Sequence, residues 1–193
     1  MSLTETKNDL LDDLKIDPDE VFGVLEDLVS VDSKYVRDLR INLKNTLTSE
    51  NLTLKETALI ALSISANERN KALINSFKQI AETNGATEEE IAETFACTSL
   101  LSVNNVFYRF RHFTEKESYQ QMPARIKMNI MMNPILGKEF FELMSLAISA
   151  VNGCEMCVKA HEASVISLGS TEARIFDAIR LASVVRGLSQ VIN

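Results

Sequence analysis

The chain has 193 residues, of which 46% are apolar and 24% are charged, and its net charge is −7. These values predict a single domain over residues 1–193, and they exclude the basic surface that nucleic-acid binding needs. No apolar run reaches the ~18 residues of a membrane span, and the acidic N-terminus lacks a signal-peptide layout. Three cysteines are too few for a secreted disulfide scaffold, which favours a cytoplasmic protein.

Apolar residues recur at helical spacing along almost the whole chain, and no segment alternates as a strand does. The N-terminal helices occupy residues 8–47, as segments 8–30 and 34–47, with an interruption at Asp17-Pro18. A short helix is expected around 122–131. The other predicted helices are 53–66, 69–84, 88–112, 137–151, 154–168 and 171–190. The predicted fold class is therefore all-α.

The two halves of the chain are similar at a shift of 84 residues. The sequence LSISA at 62–66 matches LAISA at 146–150, and GATE at 85–88 matches GSTE at 169–172. Thr87 and Glu90 form a capping box at the start of a predicted helix. The pattern predicts a helical bundle of two pseudo-repeats, about 53–112 and 137–193.

Reactive side chains are concentrated in the second pseudo-repeat. Cys154 and Cys157 form a CxxC motif, His161 follows four residues later, and Glu142 precedes the pair. Because the first pseudo-repeat keeps the scaffold without these groups, they are not needed for folding, which favours a functional role. The aligned residues of the first pseudo-repeat are Ala58, Asn70, Leu73 and Phe77.

The CxxC motif and His161 share one face of a helix predicted to begin near Cys154. Val158, Val165 and Leu168 continue that face, so both sulfurs and His161 should point inward or into a pocket. Cys157 and His161 are four residues apart, about 5–6 Å at Cβ, which allows proton transfer between them. A helix N-terminus lowers the pKa of a thiol, but the spacing does not decide which cysteine is the nucleophile. The opposite, solvated face carries Glu155, Lys159 and Glu162.

Glu142 lies on the apolar helix 137–151, on one stripe with Ser145 and Ser149. A buried carboxylate needs a partner or a proton, so its role is either a structural hydrogen bond or proton transfer. On one straight helix Glu142 would lie ~28 Å from His161. If the chain folds back at Asn152-Gly153, the two residues reach nearly the same height on adjacent helices. A proton relay between them therefore requires this bend.

Other interpretations of the cysteines and of the basic residues stay open. Zinc could be bound by the CxxC pair with His161 and Glu142, although closed structural zinc sites favour more cysteines, so a redox pair is preferred. Cys97 is predicted to be a small core residue, and His112 a surface or interface residue. The cluster of Arg109 and Arg111 fits either an oligomer contact or a partner surface.

The spacing Glu142-(11 residues)-Cys154-x-x-Cys157-x-x-x-His161 resembles the motif of AhpD-type alkyl hydroperoxide reductases, within the carboxymuconolactone-decarboxylase-like superfamily. Three further segments are similar to the same family: 104–109 (NNVFYR), 132–134 (MNP) and 149–154 (SAVNGC). The resemblance thus covers most of the chain. It implies an all-helical, cytoplasmic homotrimer with an antioxidant activity.

The resemblance also implies a lipoyl-dependent peroxidase, which reduces alkyl hydroperoxides and the disulfide of a partner peroxiredoxin, AhpC. No bound cofactor is expected, because electrons come from lipoyl groups on a subunit of an α-ketoacid dehydrogenase complex. By motif position, Cys157 attacks the peroxide and Cys154 resolves the sulfenic acid to a disulfide. His161 and Glu142 would form the proton relay that activates Cys157.

One residue departs from the family pattern. Met156 occupies the position where the best-known members have a histidine, so activation of Cys157 should depend more on His161. The alternatives are a general dithiol oxidoreductase without peroxidase activity and a zinc-binding or redox-sensing module. A lactone decarboxylase shares the scaffold but has no use for a CxxC pair.

Overall fold

The computed structural model describes residues 2–193, and Met1 lies outside the described residues. Over this range the chain forms ten α-helices, one 3₁₀ helix at Asn129–Met131, and no strand, so the all-α prediction is confirmed. The α-helices are α1 (Leu3–Asp13), α2 (Gly23–Ser30), α3 (Tyr35–Leu47), α4 (Leu54–Asn67), α5 (Lys71–Thr83), α6 (Glu88–Thr114), α7 (Glu117–Gln121), α8 (Lys138–Val151), α9 (Glu155–Ser167) and α10 (Glu172–Leu188).

Two predicted segments differ from the structure. The segment predicted over 8–30 is interrupted around Asp17-Pro18, as predicted, but its first helix begins earlier than residue 8 because Ser2 and Glu5 form a capping box. The prediction of a helix around 122–131 is wrong, since residues 122–128 are not helical. Pro123 explains this difference, because a proline disfavours helical geometry in the residue before it, and Met122 is extended.

Helices α8 and α9 begin and end 84 residues after α4 and α5, and α10 begins 84 residues after α6. The bends within the two helix pairs also match, because Arg69 and Gly153 both have a positive φ, of 58° and 67°. In both sets the first helix contacts the other two, and α4 packs directly on α8. This arrangement is the one expected of two pseudo-repeats. The capping box predicted at Thr87 and Glu90 is confirmed.

The hydrophobic core is centred on α4 and α8, whose side chains are buried over most of their length. Arg174 of α10 ties the N-terminal ends of these two helices together, since it binds Glu56 at 2.6 Å and Glu139 at 3.1 Å. Burial lowers the pKa of Arg174, but the two carboxylates outweigh burial and raise it overall. Along the described part of the chain, no helix has both the length and the apolar character needed to cross a membrane.

Candidate active site

The chain reverses direction at Asn152-Gly153, so α8 and α9 form an antiparallel hairpin. Asn152 ends α8, Gly153 takes a positive φ, and the Cys154 N–H donates to the Ser149 carbonyl at 3.1 Å. Cys154 is the N-cap residue of α9, which begins at Glu155. The bend that a relay between Glu142 and His161 requires is therefore present.

Asn67 and Asn105 hold this bend from outside the hairpin by binding Asn152. Asn152 donates to Asn105 of α6 at 2.9 Å and accepts from Asn67 of α4 at 2.9 Å. Asn105 in turn donates to Ser149, again at 2.9 Å. Arg109 donates to the Asn152 carbonyl at 2.6 Å. The residues immediately before Cys154 are thus held by both α4 and α6.

Cys154 and Cys157 are bonded to each other in the structure, with their Cα atoms 5.3 Å apart. Cys154 is fully buried, whereas Cys157 is 6% exposed and lies in the first turn of α9. The free N–H groups of that turn favour negative charge on a sulfur atom beside them. Cys157 is therefore the sulfur that a small molecule reaches more readily.

His161 and Glu142 meet across the hairpin. The His161 Nδ1 atom lies 2.7 Å from the Glu142 Oε2 atom, and their side chains are only 12% and 7% exposed. Lys138 lies one turn before Glu142, with its Nζ 3.5 Å from Oε1. Burial raises the pKa of Glu142, but the hydrogen bond from His161 and the charges of His161 and Lys138 outweigh it, so the pKa is lowered overall. Glu142 is therefore an ionised acceptor at neutral pH.

The ionisation of Glu142 determines which ring nitrogen of His161 carries the proton. A carboxylate without a proton can only accept a hydrogen bond, so Nδ1 of His161 must carry the donated proton. In the neutral ring this leaves Nε2 as the basic nitrogen. Such a carboxylate–imidazole pair can take a proton from a thiol and return it to a leaving group.

Cys157 and His161 line a cavity of about 230 Å³ whose other walls are largely apolar. Met128, Met131 and Met156 line it, and Asn104 of α6 adds an amide. Sequence reasoning did not select Asn104, Met128 or Met131 as site residues. The only sequence signal for Asn104 was its place in the 104–109 segment that resembles the AhpD family. Met156, which stands where the best-known family members have a histidine, contributes a thioether to this wall.

The α9 face predicted to point inward does so at most positions. Cys154, Cys157 and Val165 are buried, whereas Leu168 is 42% exposed, which contradicts the prediction for that residue. Leu168 is the C-cap residue of α9, one position beyond the last helical residue. The predicted solvated face is confirmed, since all three of its residues are exposed: Glu155, Lys159 and Glu162.

The two serines that share a stripe with Glu142 have other partners. Ser145 donates to the Phe141 carbonyl and lies 3.5 Å from the Cys97 sulfur, and Ser149 accepts from Asn105. Cys97 is a buried core residue, as predicted, and burial raises the pKa of its thiol to about 12. This thiol is consequently unreactive at neutral pH.

The remaining polar residues singled out in the sequence lie outside the cavity. His112 is partly exposed and lies 3.3 Å from Glu155, and Arg111 stacks over the Phe107 ring at 4.6 Å. Within residues 2–193, no group of three or more His, Cys, Asp and Glu side chains is arranged to hold a metal ion.

Comparison with known proteins connects this geometry to a family. Residues 36–103 and 117–193 match the model of the carboxymuconolactone decarboxylase family. The chain is 38% identical over 160 residues to an alkyl hydroperoxide reductase AhpD of Coxiella burnetii, covering 81% of this chain and 90% of the relative. The chain is an AhpD-type member of the carboxymuconolactone decarboxylase family.

A second AhpD relative supports this assignment, and one solved structure shares the fold. The chain is 39% identical over 158 residues to the AhpD of Anaeromyxobacter dehalogenans, covering 81% of this chain and 84% of the relative. A provisionally assigned gamma-carboxymuconolactone decarboxylase subunit from Burkholderia xenovorans LB400 superposes with a TM-score of 0.69. That superposition covers 98% of this chain and 94% of the other at 15% identity, so it shows a shared fold alone.

Proposed function

We propose that this AhpD-type protein is an antioxidant thiol peroxidase and disulfide reductase, which reduces alkyl hydroperoxides through the Cys154–Cys157 dithiol. The observation that carries the proposal is the hydrogen bond between Glu142 and His161, because His161 lines the same apolar cavity as Cys157. A cysteine, a base and an orienting carboxylate together are what activation of a thiol nucleophile needs. A lactone decarboxylase would have no use for the paired cysteines.

The reaction begins from the reduced dithiol. His161 Nε2 takes the proton of the Cys157 thiol, while Glu142 stabilises the imidazolium that forms. The thiolate attacks the terminal peroxide oxygen, so an S–O bond forms, the O–O bond breaks, and the alkoxide receives the proton from His161. Cys157 is then a sulfenic acid. Cys154 attacks that sulfur, which forms the disulfide and releases water, and two electrons have passed from the thiols to the peroxide.

The disulfide must be reduced before another turnover. A dihydrolipoyl group on a subunit of a dehydrogenase complex is the proposed donor, and it would become a disulfide itself by thiol exchange. A second proposed substrate of the reduced pair is the disulfide of an AhpC-type peroxiredoxin. No group bound to this chain is required in either step, and a cytoplasmic location stays a prediction of the sequence.

The decisive experiment compares electron donors during peroxide turnover. Reduced protein is supplied with tert-butyl hydroperoxide and with either lipoamide and its dehydrogenase or thioredoxin and its reductase, and NAD(P)H loss is followed. Turnover with lipoamide is expected. Turnover of protein disulfides without any peroxide consumption would select the dithiol oxidoreductase instead. One equivalent of zinc in freshly purified protein, measured by mass spectrometry, would overturn the redox proposal.

Helix α6 carries an apolar stripe that supports the proposed homotrimer. Val103, Val106, Phe110 and Phe113 recur at helical spacing and are all exposed, with Phe113 at 71%. Val103, Val106 and Phe110 line an open groove of about 720 Å³. A continuous exposed apolar surface of this kind is typical of a protein contact.

We expect the double substitution Val106→Glu and Phe110→Glu to dissociate the oligomer, because it places two charges in that apolar contact. Light scattering after size exclusion should give about 65 kDa for the wild type and about 22 kDa for the variant, as the chain mass of 21.6 kDa requires. Val31→Glu is the control, since Val31 is even more exposed than Val106 and Phe110 but lies at the end of α2. A monomeric wild type would contradict the trimer.

A further inference from the structure

Two side chains in the wall of the cavity beside Cys157 carry a polar group that neither the disulfide nor the relay uses, Asn104 and Tyr108 of α6. Tyr108 is partly exposed, whereas Asn104 is buried. Asn104 is 5% exposed, so its polar atoms cannot rely on bulk water for hydrogen bonds. A buried amide in such a position needs partners within the protein or from a bound molecule.

The two ends of the Asn104 amide differ in their contacts. Its Nδ2 lies 3.2 Å from the Met128 sulfur, a weak acceptor. Its Oδ1 is buried and has no hydrogen-bond partner among the described residues. The neighbouring Asn105 is different, because its Nδ2 donates to Ser149 and its Oδ1 accepts from Asn152. Asn105 is thus part of the scaffold, whereas the acceptor of Asn104 is unused.

An unused carbonyl in an apolar cavity selects for a ligand with a hydrogen-bond donor. The surrounding thioethers of Met128, Met131 and Met156 favour an uncharged, carbon-rich group. A hydroperoxide ROO–H has both features, and the oxygen that bears its proton is also the oxygen that a thiolate attacks. Holding that O–H would therefore place the reacting atom.

We propose, on the basis of the function proposed above, that Asn104 is the residue that positions the hydroperoxide. Its Oδ1 accepts the terminal O–H of ROO–H, while the R group lies among the methionines. Cys157 attacks this terminal oxygen, the O–O bond breaks, and RO⁻ receives the proton from His161. The O–H held by Asn104 becomes the hydroxyl of the Cys157 sulfenic acid, so the same hydrogen bond persists through the step.

The experiment measures the oxidative half-reaction alone. Reduced protein is mixed with tert-butyl hydroperoxide, quenched with an alkylating agent and analysed by mass spectrometry for loss of the Cys157 thiol. Asn104→Leu should lower this second-order rate about tenfold, the effect of losing one good hydrogen bond to the reacting group. The rate at which iodoacetamide alkylates Cys157, which needs no O–H acceptor, should stay within about twofold of the wild type at each pH.

A thermal-stability measurement separates positioning from a structural role. Since Asn104→Leu removes a buried acceptor without a partner, its melting temperature should equal or exceed that of the wild type. Asn45→Leu is the matched control, because Asn45 lies on α3 outside the cavity, and this variant should retain the peroxide rate. If Asn104→Leu does not fold, Asn104→Ala removes the same amide without added bulk and is judged by the same rates.

Each outcome decides the inference. A selective loss of the peroxide rate supports it. A variant that keeps the wild-type peroxide rate, or that loses peroxide and iodoacetamide reactivity equally, overturns it and leaves the proposed function standing. If the wild type itself shows no thiol loss with hydroperoxide, the proposed function fails and the inference fails with it.

Discussion

Replacement of Cys157 by serine should abolish peroxide reduction, with a loss of more than about a thousandfold in turnover. A serine hydroxyl in the same place is not ionised at neutral pH and cannot supply the electron pair that a thiolate supplies. Cys157 is the cysteine that reaches the cavity, next to His161. Turnover is measured with tert-butyl hydroperoxide, lipoamide and its dehydrogenase, and residual activity near the wild-type level would contradict the assignment.

The other two cysteines provide the controls for this prediction. Cys154→Ser should still consume one equivalent of hydroperoxide, because Cys157 remains, but the sulfenic acid should persist and be trapped by dimedone. Cys97→Ser should turn over normally, because the Cys97 thiol is buried and its pKa is raised to about 12. Full multiple turnover by Cys154→Ser would show that Cys154 does not resolve the sulfenic acid.

Much of the fold could be predicted because its signals are local. The Thr87 capping box depends on two residues that are three positions apart in the sequence. The pseudo-repeat is visible because similar residues recur at a fixed shift along the chain. Counting residues on either side of Asn152-Gly153 also predicted that Glu142 lies level with His161 on the adjacent helix. The structure has that bend, with a 2.7 Å contact between the two side chains.

The wall of the cavity could not be predicted, because a non-helical segment forms part of it. Residues 122–128 have no periodicity, and the course of the chain after them depends on Glu93. This buried carboxylate accepts the N–H groups of Ile135 and Leu136 at 2.9 and 2.7 Å. That contact joins residues more than 40 positions apart, so no local pattern places Met128 and Met131 beside Cys157.

The hydrogen-bond partners of Ser145 and Glu142 could not be predicted either, because their shared stripe on one helix does not show which neighbouring groups they contact.

Glu142→Gln should lower peroxide turnover about a hundredfold while leaving the fold intact. The amide keeps the shape of the carboxylate but cannot stabilise the imidazolium of His161, so proton transfer from Cys157 becomes less favourable. The alkylation rate of Cys157 by iodoacetamide at neutral pH should fall together with turnover. Glu139→Gln is the matched control on the same helix, because Glu139 binds Arg174 rather than His161. Equal losses in the two variants would contradict a specific role for Glu142.

The same substitution should change how stability depends on pH. The pKa of Glu142 lies below its ordinary value of 4.5, so the unfolded chain binds this proton at a higher pH than the folded chain. The ionised group therefore stabilises the fold fully above about pH 4.5, and this contribution is lost as the pH falls through the lowered pKa. Urea unfolding from about pH 6 down to about pH 3 should show a smaller loss in the free energy of unfolding for Glu142→Gln than for the wild type. Parallel curves would mean that folding does not lower the pKa of Glu142, so the contacts with His161 and Lys138 would not stabilise its ionised form.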